Sequence, residues 1–257
     1  MKNVELFNGN CLEIMKLIPN ESVDLILSDP PYGTTKCKWD IIIPFEPLWA
    51  ELKRISKPNT PILLFGQEPF SSILRMSNLK DYRYDWYWQK DRGANFLFGN
   101  KMPLKNIEIV SVFYRKQPAY YSQKTINPRG ISKVHLCNNP KKISHFTKES
   151  MGDGWKPTDK KEVANYSGKD YEPDKLLANQ LIYFPRDLRN RVHPTQKPVA
   201  LLEYLIKTYT MGNDVVLDFC MGSGSCGVAS RNLDRNFIGI ETNTEYFNAA
   251  KLRISGS

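Results

Sequence analysis

Seven short runs of β-branched, aromatic and aliphatic residues recur along the chain, each closed by turn residues. They are VELFNG (4–9), VDLILSD (23–29), PILLFG (61–66), YRYDWYWQK (82–90), IEIVSVFYRK (107–116), VVLDFC (215–220) and FIGIE (237–241). Most are apolar almost without interruption, the pattern of strands buried on both faces. Between them lie CLEIMKLI, PFEPLWAELKRI, PFSSILRM and PVALLEYLIKTYT, whose apolar spacing fits helices packed on a sheet. Such alternation predicts an α/β fold with a doubly wound, mainly parallel sheet.

The pattern stops near residue 117 and resumes near 183, with Asn, Lys, Pro, Gly and Ser dominating between. A stretch of that length is too long for an ordinary connection, so it reads as a functional insertion or a partly disordered segment. Charge gathers there as well. Residues 115–197 hold 17 of the 36 Lys and Arg but 8 of the 27 Asp and Glu, leaving 19 of each sign elsewhere. The formal excess of +9 therefore sits in one segment, either as a solvated basic surface or as the footprint of a polyanion.

Composition excludes several classes. No apolar run approaches the length of a membrane span, and the N-terminal MKNVELFNGNCLEI has no apolar core of a secretion signal, so the expectation is a cytoplasmic protein. The cysteines, Cys11, Cys37, Cys137, Cys220 and Cys226, are odd in number and form no C-x-x-C pair, which argues for reduced thiols. His135, Cys137 and His145 lack a fourth ligand at regular spacing, and no metal is expected.

Two segments carry chemistry. Ser28-Asp29-Pro30-Pro31-Tyr32-Gly33 follows directly on an apolar strand, where loops of open α/β sheets face the ligand crevice. Consecutive prolines stiffen the loop and leave carbonyl acceptors without matching N–H donors. Asp29 adds a carboxylate and Tyr32 a flat aromatic face, a set suited to holding an aromatic amino group; a plain Pro-rich turn is the bland alternative.

The second runs from Val215 to Gly227, through Asp218, Phe219, Gly222, Gly224 and Ser225, into a helix expected over Val228–Leu233. Glycines there let a ligand approach the backbone, and an acid, Glu241, ends the next strand, the place where nicotinamide and S-adenosylmethionine sites alike use a ribose-binding acid. Gly222, Gly224 and Gly227 match the literal G-x-G-x-x-G of nicotinamide sites, yet only 30 residues follow Gly227. A nicotinamide domain needs more chain after its fingerprint, so earlier strands must complete the sheet.

Taken in order, the D-P-P-Y loop, the basic segment, His193-Pro194-Thr195-Gln196-Lys197-Pro198 and the D-F-x-x-G-S-G-S turn resemble the β class of DNA amino-methyltransferases. The resemblance covers residues 4–116 and 183–254. It implies a Rossmann-like methyltransferase fold, a circularly ordered seven-stranded sheet with an inserted target-recognition region. The corresponding divisions are a catalytic half (1–116), a basic target-recognition region (117–182) and a cofactor-binding half (183–257). S-adenosylmethionine is the implied cofactor and double-stranded DNA the implied partner; a homodimer is left open and no membrane contact is expected.

Residue by residue, the resemblance places Asn10 and Cys11 beside the cofactor adenine, although the usual residue at position 10 is Asp. Asn10 also reads as a helix N-cap with Glu13 completing a capping box. Asp218, Phe219, Gly222, Gly224 and Ser225 line the methionine side, Glu241 holds the ribose, and Thr195 and Lys197 meet the cofactor carboxylate. Asp29, Pro30, Pro31 and Tyr32 form the catalytic loop, with Asp29 also reaching the cofactor side. Asn106-Ile107-Glu108 stands where the family usually has His-Glu. The implied reaction is methyl transfer to adenine N6 of a flipped base. Its rivals are transfer to cytosine N4, a nicotinamide-dependent oxidoreductase, and a non-catalytic DNA-binding protein of the same fold.

Overall fold

In the computed structural model the seven expected strands pair edge to edge. The structure describes residues 3–35, 37, 40–123, 125–126, 175–176, 178–187 and 196–256. Two compact units divide the chain: residues 1–123 with 179–257, and residues 124–178. In the smaller, β6 (Thr125–Ile126) pairs antiparallel with β7 (Lys175–Leu176).

The larger unit contains β1 (Val4–Asn8), β2 (Leu25–Ser28), β3 (Ile62–Gly66), β4 (Tyr82–Ala94), β5 (Lys105–Phe113), β8 (Leu181–Tyr183), β9 (Val215–Asp218) and β10 (Asn236–Glu241). They form one sheet in the order β1-β10-β9-β2-β3-β5-β4-β8. The first five are mutually parallel, β5 runs antiparallel to β3 and β4, and β8 lies parallel to β4. Eight strands stand where seven were expected. The extra one, β8, is an edge strand three residues long with only Ile182 buried, too short to register as an apolar run.

Strand alternation splits the core between the two faces. Ile26, Ile62 and Leu64 join Met15 of α1 (Cys11–Met15), Leu48, Leu52 and Ile55 of α2 (Phe45–Ile55), and Phe70 and Leu74 of α3 (Phe70–Ser77) in one cluster. Leu25, Leu27, Leu63 and Phe65 alternate with these and are equally buried. The later helices are α4 (Val199–Tyr209), α5 (Ser225–Asn232) and α6 (Thr244–Ser255); α4 contacts β2, while α5 contacts β9 and β10. α1 is shorter than its sequence suggested, ending at Met15, and Pro19 disfavours helical backbone at Ile18 just beyond.

The chain leaves β9 toward β10 and β1 on one side, whereas β2 leads to β3 on the other. β9 and β2 are neighbours, so the sheet's topological switch lies between them, and both chemistry-bearing loops leave from their carboxyl ends.

Candidate active site

The glycine turn is a backbone cradle. Gly222 and Gly224 adopt φ of 51° and 77°, a region that L side chains avoid, and a Cβ on Gly224 would lie 2.9 Å from that of Ala250. Glu241 reaches across from the end of β10: its Oε2 accepts the Gly222 N–H at 2.9 Å and its Oε1 the Asn243 N–H at 2.7 Å. Burial raises the Glu241 carboxyl, against the pull of those amides. Arg253 of α6 ties the turn from behind, donating to the Ser223 carbonyl at 2.5 Å and hydroxyl at 2.9 Å.

Asp218 ends β9 and is buried. It accepts the Ser28 hydroxyl at 2.6 Å and the Cys220 N–H at 3.1 Å, which joins the glycine turn to the strand before the Pro-Pro loop. Burial pushes its carboxyl up to about 7 despite both donors. Asn10 accepts the Leu12 N–H at 2.9 Å and so caps α1, but Glu13 pairs with Lys16 at 2.9 Å, so the helix is capped by Asn10 with Glu13 turned to its neighbour. Cys11, Cys37, Cys220 and Cys226 are free thiols.

The Pro-Pro loop is held by a residue that sequence reasoning missed. Asp40 accepts four consecutive backbone amides: Tyr32 and Gly33 on Oδ1 at 2.7 and 2.8 Å, Thr34 and Thr35 on Oδ2 at 2.9 and 2.7 Å. Nothing local marks it, because Asp40 is a lone acid between Trp39 and Ile41-Ile42-Ile43 until the loop folds around it. Tyr32 stacks on Phe70, with ring centroids 5.0 Å apart and planes at 27°, and its hydroxyl donates to Asp29.

Asp29 belongs to a set of charges in which Glu108 and Lys197 are buried and Asp29 and Lys90 partly so. Lys197, only 8% exposed, places its ammonium 2.5 Å from Asp29 Oδ2 and 2.8 Å from Glu108 Oε1. Glu108 Oε2 in turn lies 2.7 Å from Lys90, and the Tyr32 hydroxyl is 3.1 Å from Glu108 Oε1. Two carboxylates and two ammoniums therefore balance. Burial raises the Asp29 carboxyl, with Lys197 opposing and Glu108 adding to the rise. Burial would raise Glu108 too, but the two lysines hold it below its ordinary value. Burial would lower Lys197, and the two carboxylates raise it instead.

The two loops border one cavity of about 720 Å³, ordinary for a small-molecule site. Of the residues singled out from sequence, Asn10, Cys11, Asp29, Pro30, Pro31, Tyr32, Lys197, Asp218, Phe219, Gly222, Ser225 and Glu241 line it. Gly224 stands behind the lining against Ala250, and Thr195 lies outside the described residues, as do His135, Cys137 and His145. Lys90 and Glu108 line it too, although Lys90 carried no sequence signal and Glu108 only that of an unusual neighbour.

Residues 23–252 match the family model for N6/N4 DNA methylases. The chain belongs to that family. As a DNA amino-methyltransferase it is similar to the type II methyltransferase M.HinfI of Haemophilus influenzae, 27% identical over 97% of this chain and 67% of that protein. M.HpaI of Haemophilus parainfluenzae is 28% identical over 97% of this chain and 73% of its own length. The same architecture recurs in solved methylases. M1.HpyAVI in complex with SAM superposes with a TM-score of 0.60 at 24% identity, covering 97% and 99% of the two chains. The cytosine-N4-specific PvuII DNA methyltransferase gives 0.64 at 16% identity, covering 98% and 86%. Eight strands and the switch point at β9 and β2 make this methylase Rossmann-like.

Proposed function

We propose that the chain transfers a methyl group from S-adenosylmethionine to the exocyclic N6 of adenine in double-stranded DNA. The observation that carries this reading is the meeting of Asp29, on a loop rigidified by Pro30, Pro31 and Asp40, with Asp218 and Glu241 around one cavity. The wall carries six acids, Asp29, Asp40, Glu108, Asp187, Asp218 and Glu241, against Lys90, Arg186 and Lys197, a balance that suits a cationic cofactor, and the left-handed glycine turn leaves the backbone open to it. Glu241 would hold the ribose hydroxyls while keeping its amide contacts, since each carboxylate oxygen accepts more than one donor. An ammonium has three donors, and Lys197 places two on Asp29 and Glu108; the third would meet the cofactor carboxylate.

Bound S-adenosylmethionine supplies an electrophilic methyl group. The amino nitrogen of adenine is a poor nucleophile because its lone pair is delocalised into the ring. Asp29 and the Pro30 carbonyl, both on the cavity wall, would accept its two N–H bonds and favour the pyramidal nitrogen that attack on a methyl group requires. After transfer the nitrogen would carry one proton too many, and the Asp29 carboxylate would accept it. Tyr32 supplies an aromatic wall for the flipped base. Adenine is favoured over cytosine because family members acting on cytosine N4 more often carry Ser at the position of Asp29. The basic segment 117–182 is proposed to read the DNA sequence.

Incubating the protein with unmethylated DNA and labelled S-adenosylmethionine, then resolving the nucleosides, tests this directly. N6-methyladenine is expected; N4-methylcytosine would overturn the base assignment, and no label in DNA the whole reading.

A further inference from the structure

The hairpin joining β4 to β5 leaves the sheet on the side of the cavity. Trp88 and Lys90 on β4 and Glu108 on β5 line the wall, with Trp88 paired opposite Glu108. From Lys90 the strand continues to Ala94, paired with Lys105, so the tip stands on the order of 10–15 Å beyond the lining residues. The tip has a defined shape. Asn95 is left-handed at φ 65°, Phe96–Phe98 form a 3-10 turn, and the Gly99 N–H closes on the Phe96 carbonyl at 3.1 Å. A Cβ on Gly93 would meet that of Leu104 at 2.4 Å, so the two arms are in close contact at the base.

This tip is apolar where solvent meets it. Phe96 is 78% and Leu97 79% exposed, with Met102 and Leu104 exposed beside them. No acid occurs from residue 92 to residue 105, whereas Arg92, Lys101 and Lys105 lie exposed on the arms. Large apolar side chains between cations suit a polyanion whose interior is an apolar stack. We infer that Phe96 and Leu97 form a wedge that enters the duplex as the target base leaves it, with Arg92, Lys101 and Lys105 on the flanking phosphates. Apolar side chains inserted between base steps are a known way of stabilising unstacked DNA. The position fits, because Trp88, Lys90 and Glu108 on the arms of the same hairpin line the cavity together with the catalytic loop. The inference rests on the base-flipping methyl transfer proposed above.

A Phe96→Ser/Leu97→Ser variant tests it, since both side chains are exposed and the fold does not depend on them. Duplexes carrying the sequence context found by nucleoside analysis are prepared in matched form and with an abasic position opposite the target base. Removing the partner lowers the work of extrusion and with it the need for a wedge. In single-turnover methylation the variant is expected to be at least about tenfold slower than wild type on the matched duplex, and within about threefold on the abasic one. Equal loss on both duplexes, or no loss on either, would overturn the wedge. So would an oligomer that falls apart in the variant by light scattering, which would make the tip a self-association face. Wild-type protein inactive on both duplexes would refute the methyl-transfer reading itself, a result distinct from the others.

Discussion

Replacing Asp29 by Asn removes one negative charge from a balanced set of four. Lys197 then keeps Glu108 as its single carboxylate, with Lys90 competing for the same partner. The side chains of Asp29 and Lys197 are 22% and 9% exposed, so water replaces the lost contact only in part. Breaking a buried pair commonly costs about 3–5 kcal/mol; with Glu108 still present, about 2–4 kcal/mol is expected for Asp29→Asn and for Lys197→Met alike. For a chain of this size that lowers Tm by on the order of 10 °C. A melting curve of the single variant therefore cannot separate chemistry from stability. The double variant can, because it removes one charge of each sign and leaves the Lys90–Glu108 pair intact. Its loss of stability should fall short of the summed single losses by about 1–3 kcal/mol, while single-turnover methylation stays roughly a hundred- to a thousandfold below wild type. Strictly additive losses would refute the pairing. A double variant methylating at near-native rate would refute the role of Asp29.

Three further outcomes are expected. Asp40→Ala should lower stability by about 2–3 kcal/mol, less than four charged hydrogen bonds suggest because Gly33, Thr34 and Thr35 are exposed to water. Hydrogen bonds from Thr35, Gly33 and Tyr32 hold the Asp40 carboxyl below its ordinary value despite the opposing effect of burial, so its contribution is full above about pH 4 and fades as pH falls through the folded value; chemical denaturation of both proteins across that range would reveal it. Glu241→Ala should weaken S-adenosylhomocysteine binding by about 1–3 kcal/mol in calorimetry and also lower Tm, since two backbone amides lose their acceptor; native affinity would move the ribose contact elsewhere. Asp218, pushed up to about 7 by burial, is neutral below that pH and charged above it, so binding of the cationic S-adenosylmethionine should tighten as pH rises through 7 with proton release. Calorimetry in buffers of different ionisation enthalpy measures that release, and a pH-independent affinity would refute it.

Most strands of the sheet were legible because they are nearly contiguous runs of apolar and aromatic residues, and contiguity is what pattern reading detects. β8 was not, since three residues with one buried side chain join the edge through contacts that exist only in the fold: Trp88 donates to the Phe184 carbonyl at 2.8 Å, and the Tyr87 N–H to that of Gln180 at 2.8 Å. The same rule divides the site. Asp29 to Tyr32 and Asp218 to Ser225 could be read because each set lies within one loop. Asp40 could not, because its partners are backbone amides of a turn that the sequence does not spell out, and Arg253 could not, because it reaches Ser223 of the glycine turn from a separate helix. Lys197 was read from its motif as a cofactor contact, and the fold adds two protein carboxylates that lie 168 and 89 positions away.

That last arrangement links binding to chemistry. In the chain as folded, one Asp29 oxygen takes the Tyr32 hydroxyl and the other the Lys197 ammonium, so an incoming amino group competes with both for the lone pairs it needs. A carboxylate has room for further donors, but each one weakens its hold on the next. If a cofactor carboxylate takes the third Lys197 donor, the ammonium is shared among three carboxylates and its hold on Asp29 weakens as the methyl donor arrives, so the acceptor strength of Asp29 turns toward the base. Glu108 then matters because it keeps the shared ammonium paired while Lys90 balances Glu108 itself, so Lys197 is not left uncompensated in a buried site. The strand order makes this possible: β2, β3 and β5 are consecutive neighbours, which brings Asp29 and Glu108 to the same edge of the sheet, and Lys197 enters between them from the residue pair preceding α4.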